Sequence, residues 1–294
     1  MILNANNILL CLGFLSFILI LASVFLNGCQ FKTNKLSSNE INTLIDIQND
    51  KQVVALTSLT SDLVYRLKPS SLKAIPGSRL LVGKDEFKDK VIVSQGRNPP
   101  NIEKIISLKP DLVLGAKGFH DKALSQIDSL GINTISTEIK NFSDLELLIE
   151  RISTYLLVDN PSLYAFAPSC NKSTRDISSD STIVLVSSSP LLSPNKNSWA
   201  GSLLEKFDVN NLIGDFQSKS GFQGYVTLSP ETLLEKNPDN IILIDTGNDM
   251  KELFLSKSYS SNLKAVKNDN VYSFNYYGLI NPGSMESINN ACDK

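Results

Sequence analysis

Residues Asn101–Leu114 (NIEKIISLKPDLVL) return without a gap at Ser229–Ile242 (SPETLLEKNPDNII), setting Glu103 against Glu231, Pro110 against Pro238 and Asp111 against Asp239, 128 residues apart. A unit repeated at nearly half the chain length points to two lobes of similar build. Asn101 and Ser229 are good N-caps, Pro230 suits a first helical position, and each glutamate falls in a first turn, where the helix dipole favours negative charge. Ile102, Ile105 and Ile106 in one copy, and Leu233 and Leu234 in the other, supply a buried face; helical geometry turns both glutamates toward water. Pro110 and Pro238 then stop the helices. The runs LVL and IILI that follow are short and wholly apolar, as buried parallel strands are.

Other segments recur at a similar offset. VVALTS from Val53 reads as a buried strand, followed by a helix for which Thr60 or Ser61 can serve as cap; TIVLVS from Thr182 and SWAGSLLEKF from Ser198 repeat that order. Between the halves, a helical apolar spacing begins with Ser143 as cap, and a second helical stretch runs from Pro161 toward Asp176, where Pro168 forces a kink or two shorter helices. Asn268–Asn270 reads as a turn before a strand, and Ser284–Ala291 as a short helix. Strands alternating with helices predict an α/β fold of two lobes, each a parallel sheet flanked by helices. The expected division is an N-terminal lobe over 52–141, an interlobe helical linker over 142–180 and a C-terminal lobe over 181–294. Sites in such sheets lie beyond the carboxyl ends of the strands, so the cleft between lobes is the natural site.

Composition narrows the function. A net charge of -2 gives nothing for nucleic acid to bind. The sequence holds no GxSxG, HExxH, Gly-rich phosphate loop or CxxC, and a single histidine, His120, leaves little for acid–base work and excludes a multi-histidine metal site. These absences point away from an enzyme. Ile8–Leu26 is uncharged and ends in LNGC at Cys29, which resembles a bacterial lipoprotein signal peptide: residues 1–28 would be removed, Cys29 lipidated, and 29–51 left as a polar tether. The alternative is an uncleaved membrane anchor. Both place the remainder outside the cytoplasm. There Cys170 and Cys292 either form a disulfide or stay as unpaired thiols.

With VVALTSLTSD from Val53, the segment Asn101–Leu114, LGINTI from Leu130, TLSPETLLEKNPD from Thr227 and LKAVKNDNVY from Leu263 in this order, the chain resembles the class III solute-binding proteins of ABC importers, which carry iron siderophores, haem and vitamin B12. The resemblance covers residues 52 to 290. It implies two α/β lobes joined by a helix that bends little, a shallow cleft that holds the chelate, no cofactor and no catalysis. It implies that Glu103 and Glu231 dock on arginines of the two subunits of a permease dimer, with the binding protein itself a monomer. It also marks Arg97, six residues before Glu103, as a contact to ligand oxygens, a task suited to a planar, non-titrating fork of donors. Phe119 stands where relatives carry a ligand-contacting aromatic.

The residues themselves add Trp199, placed between a strand and a helix, Tyr225 in the second-lobe counterpart of the Arg97 loop, and Tyr276 and Tyr277 after a predicted strand. Tyrosines offer an apolar face and a polar tip to a wet ligand rim. His120 is expected to face solvent. The resulting expectation is a lipid-anchored, extracytoplasmic protein that captures a metal chelate, foremost a ferric siderophore, and delivers it to an ABC permease. Cobalamin and haem are the alternative ligands. A tethered interaction protein without a small ligand, or a hydrolase improvised from carboxylates, are the readings from other classes.

Overall fold

The computed structural model describes residues 50–95, 98–171, 180–217, 223–247 and 249–294. The signal segment, Cys29, the tether up to Asn49 and Arg97 lie outside the described residues.

Val53, Val54 and Ala55 have no exposed surface and form β1 (Val53–Ala55) at the centre of the first sheet. Around it pair β2 (Leu72–Gly77), β3 (Val91–Gln95), β4 (Leu112–Ala116) and β5 (Asn133–Thr137) in the order β3-β2-β1-β4-β5, every pairing parallel. Such strands need cover on both faces. Here α1 (Ser58–Leu67), α2 (Ile102–Ser107) and α3 (Asp121–Asp128) supply it.

The second parallel sheet has the order β12-β11-β6-β9, from β6 (Ser181–Leu185), β9 (Asn210–Asn211), β11 (Asn240–Asp245) and β12 (Val271–Asn275). Beside it stands a small antiparallel sheet of β7 (Ser187–Ser188), β8 (Leu191–Pro194) and β10 (Tyr225–Leu228), a departure from one parallel sheet per lobe. Its cause is local. A two-residue turn at Ser189 and Pro190 folds β8 back on β7 as a hairpin, which so short a connection allows only antiparallel, and β10 joins β8 in the antiparallel sense too.

The helices α4 (Phe142–Leu156), α5 (Ser162–Ala165), α6 (Trp199–Lys206), α7 (Pro230–Lys236), α8 (Met250–Leu255), α9 (Lys264–Lys267) and α10 (Met285–Cys292) complete the chain. Pro168 opens a separate 3-10 turn after α5, so the stretch from Pro161 is two short pieces. Two caps differ from expectation. Thr57, not Thr60 or Ser61, caps α1, accepting the Thr60 N–H at 3.2 Å, because β1 ends at Ala55 and the helix starts earlier. Asn141, not Ser143, caps α4 in a reciprocal box with Asp144.

The repeated unit has the same anatomy twice. Asn101 accepts the Lys104 N–H and Ser229 the Thr232 N–H; Ile105 and Leu233, at equivalent positions, are fully buried, and Glu103 and Glu231 are exposed. The repeated aspartates have a role that the sequence does not announce. Asp111 accepts the Gln52 N–H at 2.7 Å and Asp239 the Ser181 N–H at 2.9 Å, so each ties the turn after its helix to the start of the neighbouring central strand. Asp239 also pairs with Lys264, and these partners, Lys264 first and then Ser181, hold its carboxyl far below the usual range.

One buried cluster runs through both sheets: Val53 and Leu114 from the first, Leu63 on α1, Leu145 and Ile152 on α4, Val184 and Ile244 from the second, and Met285 and Ile288 on α10. Phe142, at the start of α4, stacks on Phe166 at 5.3 Å and on Trp199 at 6.0 Å. Each fully buried side chain of this size contributes about 1.5 to 3 kcal/mol, so pulling the sheets apart is costly. From Asp50 to Lys294 the chain is accordingly one compact unit. A disulfide joins Cys170 to Cys292, and Asn289 accepts the Ala167 N–H at 2.8 Å beside it, fixing α10 to the segment after α5.

Candidate functional site

The carboxyl ends of strands from both sheets meet at a cleft of about 580 Å³. The first lobe contributes Arg79 and Leu80, just past β2; the second contributes Asp245 at the end of β11 and Asn275, Tyr276 and Tyr277 at the end of β12, with α10 forming the remaining wall. This is where open α/β sheets place ligands. A second, more apolar hollow of about 450 Å³, walled by Leu203, Phe207, Ile242 and Phe274, draws no residue from the first lobe and does not answer to a two-lobe site.

The tyrosine pair is rigidly held. Tyr276 and Tyr277 meet edge to face at 5.3 Å, and the Arg79 guanidinium lies 5.4 Å from the centre of the Tyr277 ring. Gly278 follows with φ of 101°, and a Cβ there would stand 2.1 Å from the Ser287 carbonyl oxygen, so only glycine lets this turn press on α10. Trp199 donates its indole N–H to the Gly278 carbonyl at 2.8 Å.

That bond redefines Trp199. At 5% exposure the indole is a core side chain that holds the tyrosine turn from behind, and it offers no surface to a ligand in the cleft. Tyr225 stands close to Tyr276 but is half-buried against the core and does not line the cleft; burial first, then the neighbouring Tyr276, pushes its phenol up to about 12. Phe119 stands in solvent at 89% exposure on the loop after β4 and is not part of the cleft wall. His120 is half-buried, not solvent-facing: its Nδ1 accepts the Ala116 N–H at 3.0 Å, and burial lowers its pKa. Of the described sequence candidates, the cleft brings together Tyr276 and Tyr277.

Arg79 and Asp245 were missed, and a signal existed. Asp245 ends β11 and Arg79 stands two residues past β2, where the fold rule places ligand contacts, whereas the sequence candidates came from the loops before the repeated helices and from aromatic residues. Asp245 accepts the Gly247 N–H at 2.7 Å, which fixes one of its oxygens and leaves the other for the cleft. The loop carrying Arg79 is pinned at both ends. Ser58 donates to Ser78 at 2.7 Å, and Lys84 pairs with Glu286 on α10, whose own N–H is accepted by Asp62 of α1 at 2.8 Å. Asp62 also takes Arg66 Nε at 2.9 Å, yet burial keeps its carboxyl above its ordinary value. Among the described residues no group of three His, Cys, Asp or Glu is placed to hold a metal ion.

A sequence profile of the periplasmic binding protein family matches residues 53–155 and 165–276. The chain belongs to this family. Within it, the two parallel sheets with α4 between them in the chain have the class III build. The Bacillus subtilis protein YhfQ, whose name is that of an ABC transporter substrate-binding lipoprotein, is 26% identical over 213 residues, 66% of either chain, so the match spans about two thirds of that relative. The vitamin B12-binding protein of Vibrio cholerae is 21% identical over 201 residues, 65% of this chain and 70% of its own. The crystal structure of Staphylococcus aureus SirA superposes on this binding protein with a TM-score of 0.63 at 22% identity, covering 83% of this chain and 96% of SirA. Among the described residues no helix is long and apolar enough to cross a membrane.

Proposed function

We propose that this periplasmic binding protein is a lipid-anchored carrier, held at Cys29 on the outer side of the bacterial membrane, that captures a ferric siderophore in the interlobe cleft and hands it to the two subunits of an ABC permease. It turns nothing over. The observation that carries the reading is the cleft itself, built from strand ends of both lobes and furnished with Arg79, Tyr276 and Tyr277. A guanidinium aimed by an aromatic face suits the dense oxygen acceptors of a ferric chelate, and two tyrosines suit its organic frame. The shared core of the lobes supports a carrier that closes little on its ligand. Cobalamin is the second reading, favoured by the vitamin B12-binding relative.

The exposed glutamates Glu103 and Glu231 are the permease contacts in this reading, one per lobe on equivalent helices. The Ser229 hydroxyl and the Glu231 N–H, the backbone N–H foremost, hold the Glu231 carboxyl below its ordinary value, so it stays charged for such a contact.

Arg79→Ala tests the site. It is expected to weaken binding of a ferric trihydroxamate by about 1.5 to 3 kcal/mol, the worth of a charged hydrogen bond, with the thermal midpoint nearly unchanged. Unaltered affinity in titration calorimetry would remove Arg79 from the ligand site.

A further inference from the structure

We infer that the chelate carried in this cleft is uncharged or cationic and rich in amide groups, and that Asp245 is the residue that turns polyanionic chelates away. The inference rests on the transport reading and goes beyond it, because neither the fold nor the repeat fixes the charge of the ligand.

The described wall of the cleft carries one positive and one negative side chain, Arg79 and Asp245. The positive one is partly engaged, its guanidinium lying over the Tyr277 ring. Nearby Lys84 brings no spare charge, since it is paired with Glu286. The negative one is fixed: Asp245 ends β11, in register with Asn275 at the end of β12, and its Oδ1 is held by the Gly247 N–H. Turning this exposed carboxylate away from an incoming anion would cost that bond. A trianionic chelate would therefore meet a described wall whose one cation is matched by one carboxylate, and repulsion by that carboxylate discriminates between ligands even where attractive contacts are equal.

The remaining polar groups say what is welcome. Asn275 and Asn290 present paired donors and acceptors, and Ser287 a hydroxyl. Amide groups on a ligand match these without net charge, while the free Asp245 oxygen accepts from a ligand N–H or ammonium. Ferric trihydroxamates and corrinoids share this chemistry, and the experiment separates them.

The purified full chain in detergent is titrated calorimetrically at low ionic strength with ferrichrome and cyanocobalamin (uncharged), ferrioxamine B (a monocation) and ferric enterobactin (a trianion). One or more of the first three is expected to bind at least about tenfold more tightly than the trianion, an effect that screening salt erodes. Asp245→Asn keeps an acceptor for the Gly247 N–H and removes the charge. It is expected to raise the ratio of trianion to uncharged-ligand affinity about tenfold, as removal of a like-charge contact predicts. Tightest binding of the trianion by the native protein, or an unchanged ratio in Asp245→Asn, overturns the inference and leaves the transport reading standing. Silence from all four chelates overturns the transport reading and this inference together.

Discussion

Replacing both Glu103 and Glu231 by alanine is expected to reduce uptake of the chelate by cells to background while the isolated protein still binds it with nearly native affinity. The two side chains are exposed on matching helices, and neither belongs to the cleft wall of Arg79, Asp245 and the tyrosine turn. Truncating one partner of a buried, hydrogen-bonded charge pair at a protein interface costs about 2 to 5 kcal/mol, so two such losses together weaken docking by at least about a thousandfold. Folding should hardly notice, since a glutamate in a first helical turn contributes about 0.3 to 1 kcal/mol. Normal uptake by the double variant would return both residues to helix stabilisation alone. A loss of chelate affinity would place them at the ligand.

The second large effect concerns stability. The Cys170–Cys292 bridge spans 122 residues of sequence. Closing a loop of that length limits the unfolded chain by roughly 4 to 5 kcal/mol in the chain-entropy account. The paired change Cys170→Ser with Cys292→Ser, which leaves no stray thiol at the bridge, is therefore expected to lower the thermal midpoint by roughly 8 to 10 °C for a domain of this size. Dithiothreitol added to the native protein should reproduce the shift. Coincident melting curves for oxidised and reduced protein would show that Asn289 and the shared core, not the bridge, fix α10 in place.

What could be read in the sequence was what repeats or alternates. The helix after Asn101, the helix after Ser229 and the strands that follow them were legible because caps, prolines and apolar runs act within a few residues. Glu103 and Glu231 were legible as exposed for the same reason. The antiparallel β7-β8-β10 sheet was not, because it depends on a tight reversal at Ser189 and Pro190 and on a partner strand over thirty residues away. Trp199 was misjudged because its place after a strand and before a helix gives direction but not depth; its indole N–H finds a carbonyl 79 residues on, at Gly278. Asp111 and Asp239 were seen as repeated but not as ties between strands, since their partners Gln52 and Ser181 are distant in sequence. Arg79 stood in a loop with no motif of its own, and its meaning comes from Tyr277, which only the closed fold brings within reach.

The central claim is that this cleft binds a metal chelate, and calorimetric titration of the protein lacking residues 1–28 with ferrichrome and with cyanocobalamin tests it most directly. Calorimetry is the right readout because the one tryptophan, Trp199, is buried behind the site and need not report on it. The account predicts saturable binding at one site per molecule to at least one of the two, lost or weakened about tenfold or more by Arg79→Ala, as expected for a charged hydrogen bond. No saturable heat with either ligand would contradict it.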